Sequence, residues 1–189
     1  MTTVAATTGL TPEDVERASM RDGKRYELID GHLREKIAGT ESLFVASRIA
    51  ERLNASLYPD RGFAVVEAMV YCFGRPNHGR KPDVVFVSFD RLPARSIPSG
   101  DLHVVPDLAV EVLSPSNTGL EVEAKLDEYL DAGVPLVWIV NPDRRTIRVY
   151  RSDGTTHLFR GQDVIENEPL LPEFRMLTAD VFPAVVSPT

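Results

Sequence analysis

Glu111 stands in the middle of Leu108-Ala109-Val110-Glu111-Val112-Leu113, a run that otherwise reads as a buried strand. An unpaired ionised carboxylate in an apolar interior costs several kcal/mol or moves its pKa until it is neutral. A sequence keeps one there for a cation partner or a bound metal. Pro82-Asp83-Val84-Val85-Phe86-Val87 repeats the pattern, with an acid at the mouth of a second apolar strand. Two Pro-Asp pairs occur, at 82–83 and 106–107. Asp83 is the preferred site acid because it leads a separate strand, and Asp107 reads as a turn or supporting residue.

Lys125 follows from helical geometry. Val122, Leu126, Tyr129 and Leu130 form an apolar stripe, and Lys125 lies on or beside it, three residues after Val122 and four before Tyr129. Glu121, Glu123, Asp127, Glu128 and Asp131 make the opposite, solvated face. A lysine on the acid-free side of an acidic helix either snorkels to the surface or points at the acids on the sheet. Glu27 is a fourth candidate, an acid in Tyr26-Glu27-Leu28-Ile29 on the same side as Ile29, which reads either as an inward acid or as one half of a simple cross-strand pair.

Two acids and a lysine converging on one sheet suit metal-assisted hydrolysis of a phosphodiester. Carboxylate oxygens favour Mg²⁺ or Mn²⁺, which keep several waters. Such an ion polarises the scissile phosphate and acidifies a bound water, and an ammonium can orient that water and offset growing charge. The expected set is Asp83 and Glu111 as ligands, with Lys125 and Glu27 beside them. A basic loop, Arg75, His78, Arg80 and Lys81, precedes Asp83, and Arg91 and Arg95 follow it. It is either a phosphate-contacting loop or a solvated one. Arg144, Arg145, Arg148 and Arg151 read as surface. No Gly-rich phosphate loop and no Gly-x-Ser-x-Gly elbow is present, and the four histidines lack ligand spacing.

The elements that would position these groups can be read in order. Thr11-Pro12-Glu13-Asp14 opens a short helix to about residue 20. Asp30-Gly31 joins strands over 25–29 and 32–37 as a hairpin. Gly39-Thr40 opens a long helix to residue 57 with an apolar stripe. Residues 62–73 read as a strand, 84–87 as another, and 89–105 as an irregular excursion. A helix over 118–132, closed by Gly133, joins the Glu111 strand to the apolar strand 135–140. That β-helix-β crossover predicts parallel neighbours. Strands at 146–150 and 156–159 follow, and the proline-punctuated C-terminal stretch is expected to pack loosely over the sheet edge. The class is α/β, a mixed sheet flanked by helices.

With 189 residues, 43 % of them hydrophobic, the chain suits one domain with a sizeable core. The expected division is a disordered tail over 1–10 and a single domain over 11–189. A net charge of −7 repels nucleic acid overall, so binding a polyanion needs a local basic patch or a metal. The single cysteine, Cys72, excludes an internal disulfide and reads as a small hydrophobe in a strand. No secretory signal and no membrane-length apolar run appears, so the expectation is a soluble, cytoplasmic protein.

At these residues the sequence resembles the Uma-two family of presumed restriction endonucleases, a branch of the PD-(D/E)XK nuclease superfamily. The matching pieces are YELIDG at 26–31, PDVVFV at 82–87, PDLAVEVLSPS at 106–116, KLDEYLDAGVPLVWIVNP at 125–142 and LLPEF at 170–174. The resemblance implies a restriction-endonuclease-like core, a metal-dependent DNA endonuclease activity, and Asp83 and Glu111 as metal-binding acids. It implies that Leu113 occupies the place of a lost lysine, that Lys125 fills the same space, and that Glu27 is the family's N-terminal acid. Two departures stand out: Glu41-Ser42 where relatives often have a histidine, and Asn141 in place of an aspartate. Cutting both strands of a duplex often takes two active sites, which would call for a homodimer. The rival expectation is a non-catalytic nucleic-acid-binding or interaction module, with the acids and Lys125 as a buried ion-pair network.

Overall fold

A computed structural model describes residues 9–115 and 117–184. The expected tail lies outside the described residues as far as residue 8; at Leu10 the backbone N–H donates to the Gly31 carbonyl at 2.9 Å. Helix α1 (Pro12–Asp22) begins where Thr11 and Asp14 cap each other, with the Thr11 N–H 2.8 Å from Asp14 Oδ2. Strands β1 (Tyr26–Ile29) and β2 (His32–Glu35) form the expected hairpin. Asp30 and Gly31 supply the two positive φ angles, 48° and 81°, that the tight turn demands.

Helix α2 (Thr40–Leu57) buries Val45, Ile49, Leu53 and Leu57 along one face. The main sheet follows: β3 (Gly62–Val66), β4 (Val84–Ser88), β5 (Leu108–Val112), β6 (Leu136–Asn141), β7 (Thr146–Arg151) and β8 (Thr156–Arg160), adjacent in that order. Only β5 and β6 are parallel, and helix α3 (Gly119–Asp131) connects them, as the crossover predicts. Thr118 caps α3 by accepting the Glu121 N–H, and Gly133 at φ 86° ends it.

Alternation along β5 divides the molecule into layers. Leu108, Val110 and Val112 pack with α2, while Ala109 shares a cluster with Tyr129, Val137 and Ile139 on the α3 side. Glu111 therefore points to the α3 side. The register Val84↔Val110 and Val85↔Ala109, carried one step back, sets Asp83 opposite Glu111. Residues opposed across an antiparallel pair project from the same face.

Three expectations change. The strand over 62–73 stops at Val66, because Glu67 adopts a left-handed φ of 56° and the chain rejoins only through single bridges at Val70. Cys72 is thus a half-buried loop residue, not a strand residue. The C-terminal stretch packs tightly instead of loosely. It forms β9 (Val164–Glu166) and β10 (Arg175–Leu177), and Ile165, Leu171, Phe174, Met176 and Val181 enter the α2-side core. Trp138 meets Phe174 there at a ring separation of 6.0 Å. Among the described residues, no helix is long and apolar enough to cross a membrane.

Candidate active site

The hairpin is docked on the loop before β4 by paired backbone bonds between Leu28 and Gly79, at 3.0 and 2.7 Å. That docking carries Glu27 and Lys36 over the end of β5. With Asp83, Glu111 and Lys125 they line one cleft, between the hairpin and the start of α3. All four residues singled out in the sequence therefore meet. Glu27, Asp83 and Glu111 are 3 %, 5 % and 7 % exposed, so their charges depend on partners rather than on water.

Those partners are specific. Lys125 Nζ lies 2.9 Å from Glu111 Oε2 and 3.3 Å from Glu27 Oε1. The Tyr129 hydroxyl donates to Glu111 Oε1 at 2.6 Å. Asp83 Oδ2 accepts the Val112 N–H at 2.6 Å, and Asp83 Oδ1 is 2.7 Å from Lys36 Nζ. Glu27 also takes Arg80 at 2.9 Å and the Lys81 N–H at 3.2 Å.

The titration behaviour follows from this packing. Burial opposes the charge on Lys125, but Glu111 and Glu27 outweigh it and hold the ammonium well above the usual lysine range. For Glu27, burial works upward, and Lys125 and Arg80 pull the carboxyl below its ordinary value. Burial and the neighbouring charges of Glu111 and Glu27 keep the Tyr129 phenol protonated far beyond its usual range. At neutral pH Lys125 is thus a cation and Tyr129 a donor.

Several basic and acidic residues stand elsewhere than expected. His78 and Arg80 are neither a solvated loop nor a phosphate-facing one; they are buried. Arg80 joins Glu128, at 2.6 Å, to Glu27, and His78 sits between Asp30 at 3.1 Å and Glu128 at 3.2 Å. Glu128 accordingly leaves the solvated face of α3, because a buried guanidinium requires it. Glu121 stays solvated, as expected, and pairs with Arg34 at the cleft mouth. Arg151 is not simply surface, since it holds the buried Glu168. Asp107 takes the turn role of its two expected ones, accepting from Ser88 N at 2.7 Å and Arg91 Nε at 2.6 Å away from the cleft, and does not support the site acids.

Lys36 was not among the residues the sequence singled out. It follows an exposed strand of alternating charges, and only the docking of the hairpin turns it inward. Tyr129 was read only as part of the stripe; its hydroxyl, buried four residues after Lys125, is a signal that a partner must exist.

A family model described as "Uma2: Putative restriction endonuclease" matches residues 12–180. The chain belongs to the Uma2 family. A crystal structure from Anabaena variabilis ATCC 29413, described as a "putative nuclease belonging to DUF820", is similar to this Uma2 chain. It is 23 % identical with a TM-score of 0.71, over 85 % of this chain and 90 % of that one. That likeness gives the Uma2 protein its fold, the restriction-endonuclease-like mixed sheet. No curated protein matches the chain.

Among the described residues no three His, Cys, Asp or Glu groups form a ready-made metal cage. The donor chemistry nevertheless fits a hard cation. Mg²⁺ is commonly held through one or two carboxylates, with waters completing the shell. Asp83 and Glu111 offer two carboxylates on one face, and each oxygen in use retains a further lone pair.

Proposed function

We propose that this protein is a metal-dependent DNA endonuclease hydrolysing phosphodiester bonds. Asp83 and Glu111 would hold Mg²⁺ or Mn²⁺, and Lys125 assists the attacking water. The observation supporting this reading is the convergence of Asp83, Glu111 and Lys125 in one cleft from two strands and a helix. Family membership supports DNA as the substrate.

When bound, the ion supplies Lewis-acid polarisation of the phosphate and lowers the pKa of a coordinated water. The protein's own groups have separate tasks. In the hydrolysis a P–O bond forms to the water oxygen as the P–O bond to the leaving oxygen breaks; the proton the water sheds passes to solvent and the departing oxygen takes one up from solvent, so one water is added across the bond. Lys125, fixed as an ammonium by Glu111 and Glu27, does not abstract the water's proton. It orients that water and offsets the negative charge growing on the phosphoryl oxygens. Glu27 keeps Lys125 in place, with Arg80 anchoring Glu27 from behind. Tyr129 fixes the orientation of Glu111 through Oε1.

A second reading has one observation in its favour. Each acid already has a lysine, Asp83 with Lys36 and Glu111 with Lys125, as an interaction module with a closed ion-pair network would. Calorimetric titration with Mg²⁺ and Mn²⁺ separates the two. Heat of binding in the wild type, abolished in Asp83→Ala and Glu111→Ala, supports the nuclease. Absence of binding heat in the folded wild type supports the module.

A further inference from the structure

The mechanism above gives Lys36 no part, yet Lys36 is built deeply into the cleft. Its side chain is 10 % exposed. Three oxygens surround its ammonium: Asp83 Oδ1 at 2.7 Å, the Lys81 carbonyl, and Glu67 Oε1 at 3.5 Å. Burial resists its charge, and Glu111, Asp83 and Glu67, in that order, overcome the resistance and raise its pKa. The ammonium thus sits where the carboxylate charge of the cleft is concentrated, against an oxygen of Asp83.

Glu67 is the unusual member of that group. Both of its carboxylate oxygens are shielded from solvent, and neither accepts a hydrogen bond from the described residues. Its cationic neighbours stand off, Lys36 at 3.5 Å and Arg25 at 3.7 Å. A buried carboxylate short of donors has unused capacity for an ammonium, and that of Lys36 is the nearer one.

We propose that Lys36 is a resident counter-cation for Asp83 that gives way when a divalent ion binds, and that Glu67 is the carboxylate that receives it. The inference rests on the metal reading given above. It describes two arrangements of one ammonium, against Asp83 or against Glu67. A divalent ion that needs Asp83 selects the second, and its apparent affinity falls by the fraction of molecules in the first. Lys36 is therefore a positioning residue that sets how tightly and how selectively the site takes its ion.

The test is titration of the full-length protein with Mn²⁺, read by calorimetry and by the electron paramagnetic resonance of free Mn²⁺. Wild type is compared with Lys36→Met, Glu67→Gln and Asp83→Asn. Lys36→Met should bind Mn²⁺ about tenfold more tightly, since no competing cation remains on Asp83. Glu67→Gln should bind it several-fold more weakly, because the displaced ammonium loses its receiving charge. Asp83→Asn should lose binding. Should Lys36→Met fail to fold by circular dichroism, the Glu67→Gln arm decides alone. Wild-type binding lost in Asp83→Asn, with Lys36→Met no tighter or Glu67→Gln no weaker, overturns this inference and leaves the metal reading standing. No binding in either wild type or a folded Lys36→Met overturns both.

Discussion

The carboxylate of Asp83 accepts the backbone N–H of Val112 at 2.6 Å, so a side chain at the mouth of β4 completes the hydrogen bonding of β5. The same carboxylate faces Lys36 through its other oxygen. Asp83 therefore has a structural task beside its proposed chemical one, and substitutions should separate the two.

Asp83→Ala removes the acceptor of a buried N–H and leaves the Lys36 ammonium with Glu67 as its remaining anion. It should destabilise the fold by about 2–4 kcal/mol in urea denaturation. Asp83→Asn retains an oxygen for Val112 and should lose less stability. Both should lose DNA nicking, which shows that activity does not simply follow stability.

Lys125 and Glu111 should couple strongly. Lys125→Met leaves buried Glu111 with only the neutral Tyr129 hydroxyl and takes one of two cations from Glu27, and should cost about 3 kcal/mol. Glu111→Gln with Lys125→Met removes charge from both partners and should recover part of that loss. A double-mutant cycle by denaturant unfolding measures the coupling, and strict additivity of the two single effects would contradict the geometry.

Arg80 reaches Glu128 through Nε and Glu27 through a terminal nitrogen. Lysine cannot reproduce that fork. Arg80→Lys should therefore destabilise nearly as much as Arg80→Met, and both should slow nicking by loosening Glu27 and, through it, Lys125. Thermal unfolding and initial nicking rates check the two effects separately.

Glu27 makes the acid limb of the stability profile steeper. Its folded pKa lies below the unfolded value because Lys125 and Arg80 outweigh burial. A depressed carboxyl contributes stability above the unfolded pKa, about 4.3, and that contribution drains away as pH falls through the lower folded value. Between pH 6 and pH 2.5 the unfolding midpoint of Glu27→Gln should fall less steeply than that of wild type. Parallel profiles would remove the electrostatic role.

The sequence made the centre of this arrangement legible for local reasons. Glu111 interrupts an apolar run, Lys125 sits on the wrong side of an acidic helix, and the α3 crossover dictates that β5 and β6 are parallel. These signals are periodic, and period survives without coordinates. Lys36 and the Glu27–Arg80 pair depended on how the hairpin docks at Leu28 and Gly79, a contact between segments far apart in the chain. The end of β3 turned on a single backbone angle at Glu67, which residue type does not announce. The C-terminal segment hid its core role because Ile165, Leu171 and Phe174 lie in short strands and turns without a repeating pattern.

Cutting of DNA by the Asp83–Glu111–Lys125 cleft with a divalent ion is the proposal on which the rest depends. Its most direct measurement is the nicking of supercoiled plasmid by purified protein in Mg²⁺ or Mn²⁺, beside folded Glu111→Gln and Lys125→Ala variants. Nicking is expected that chelator abolishes and that each variant reduces by at least about 100-fold. Nicking that survives chelation, or that persists undiminished in both variants, would contradict it.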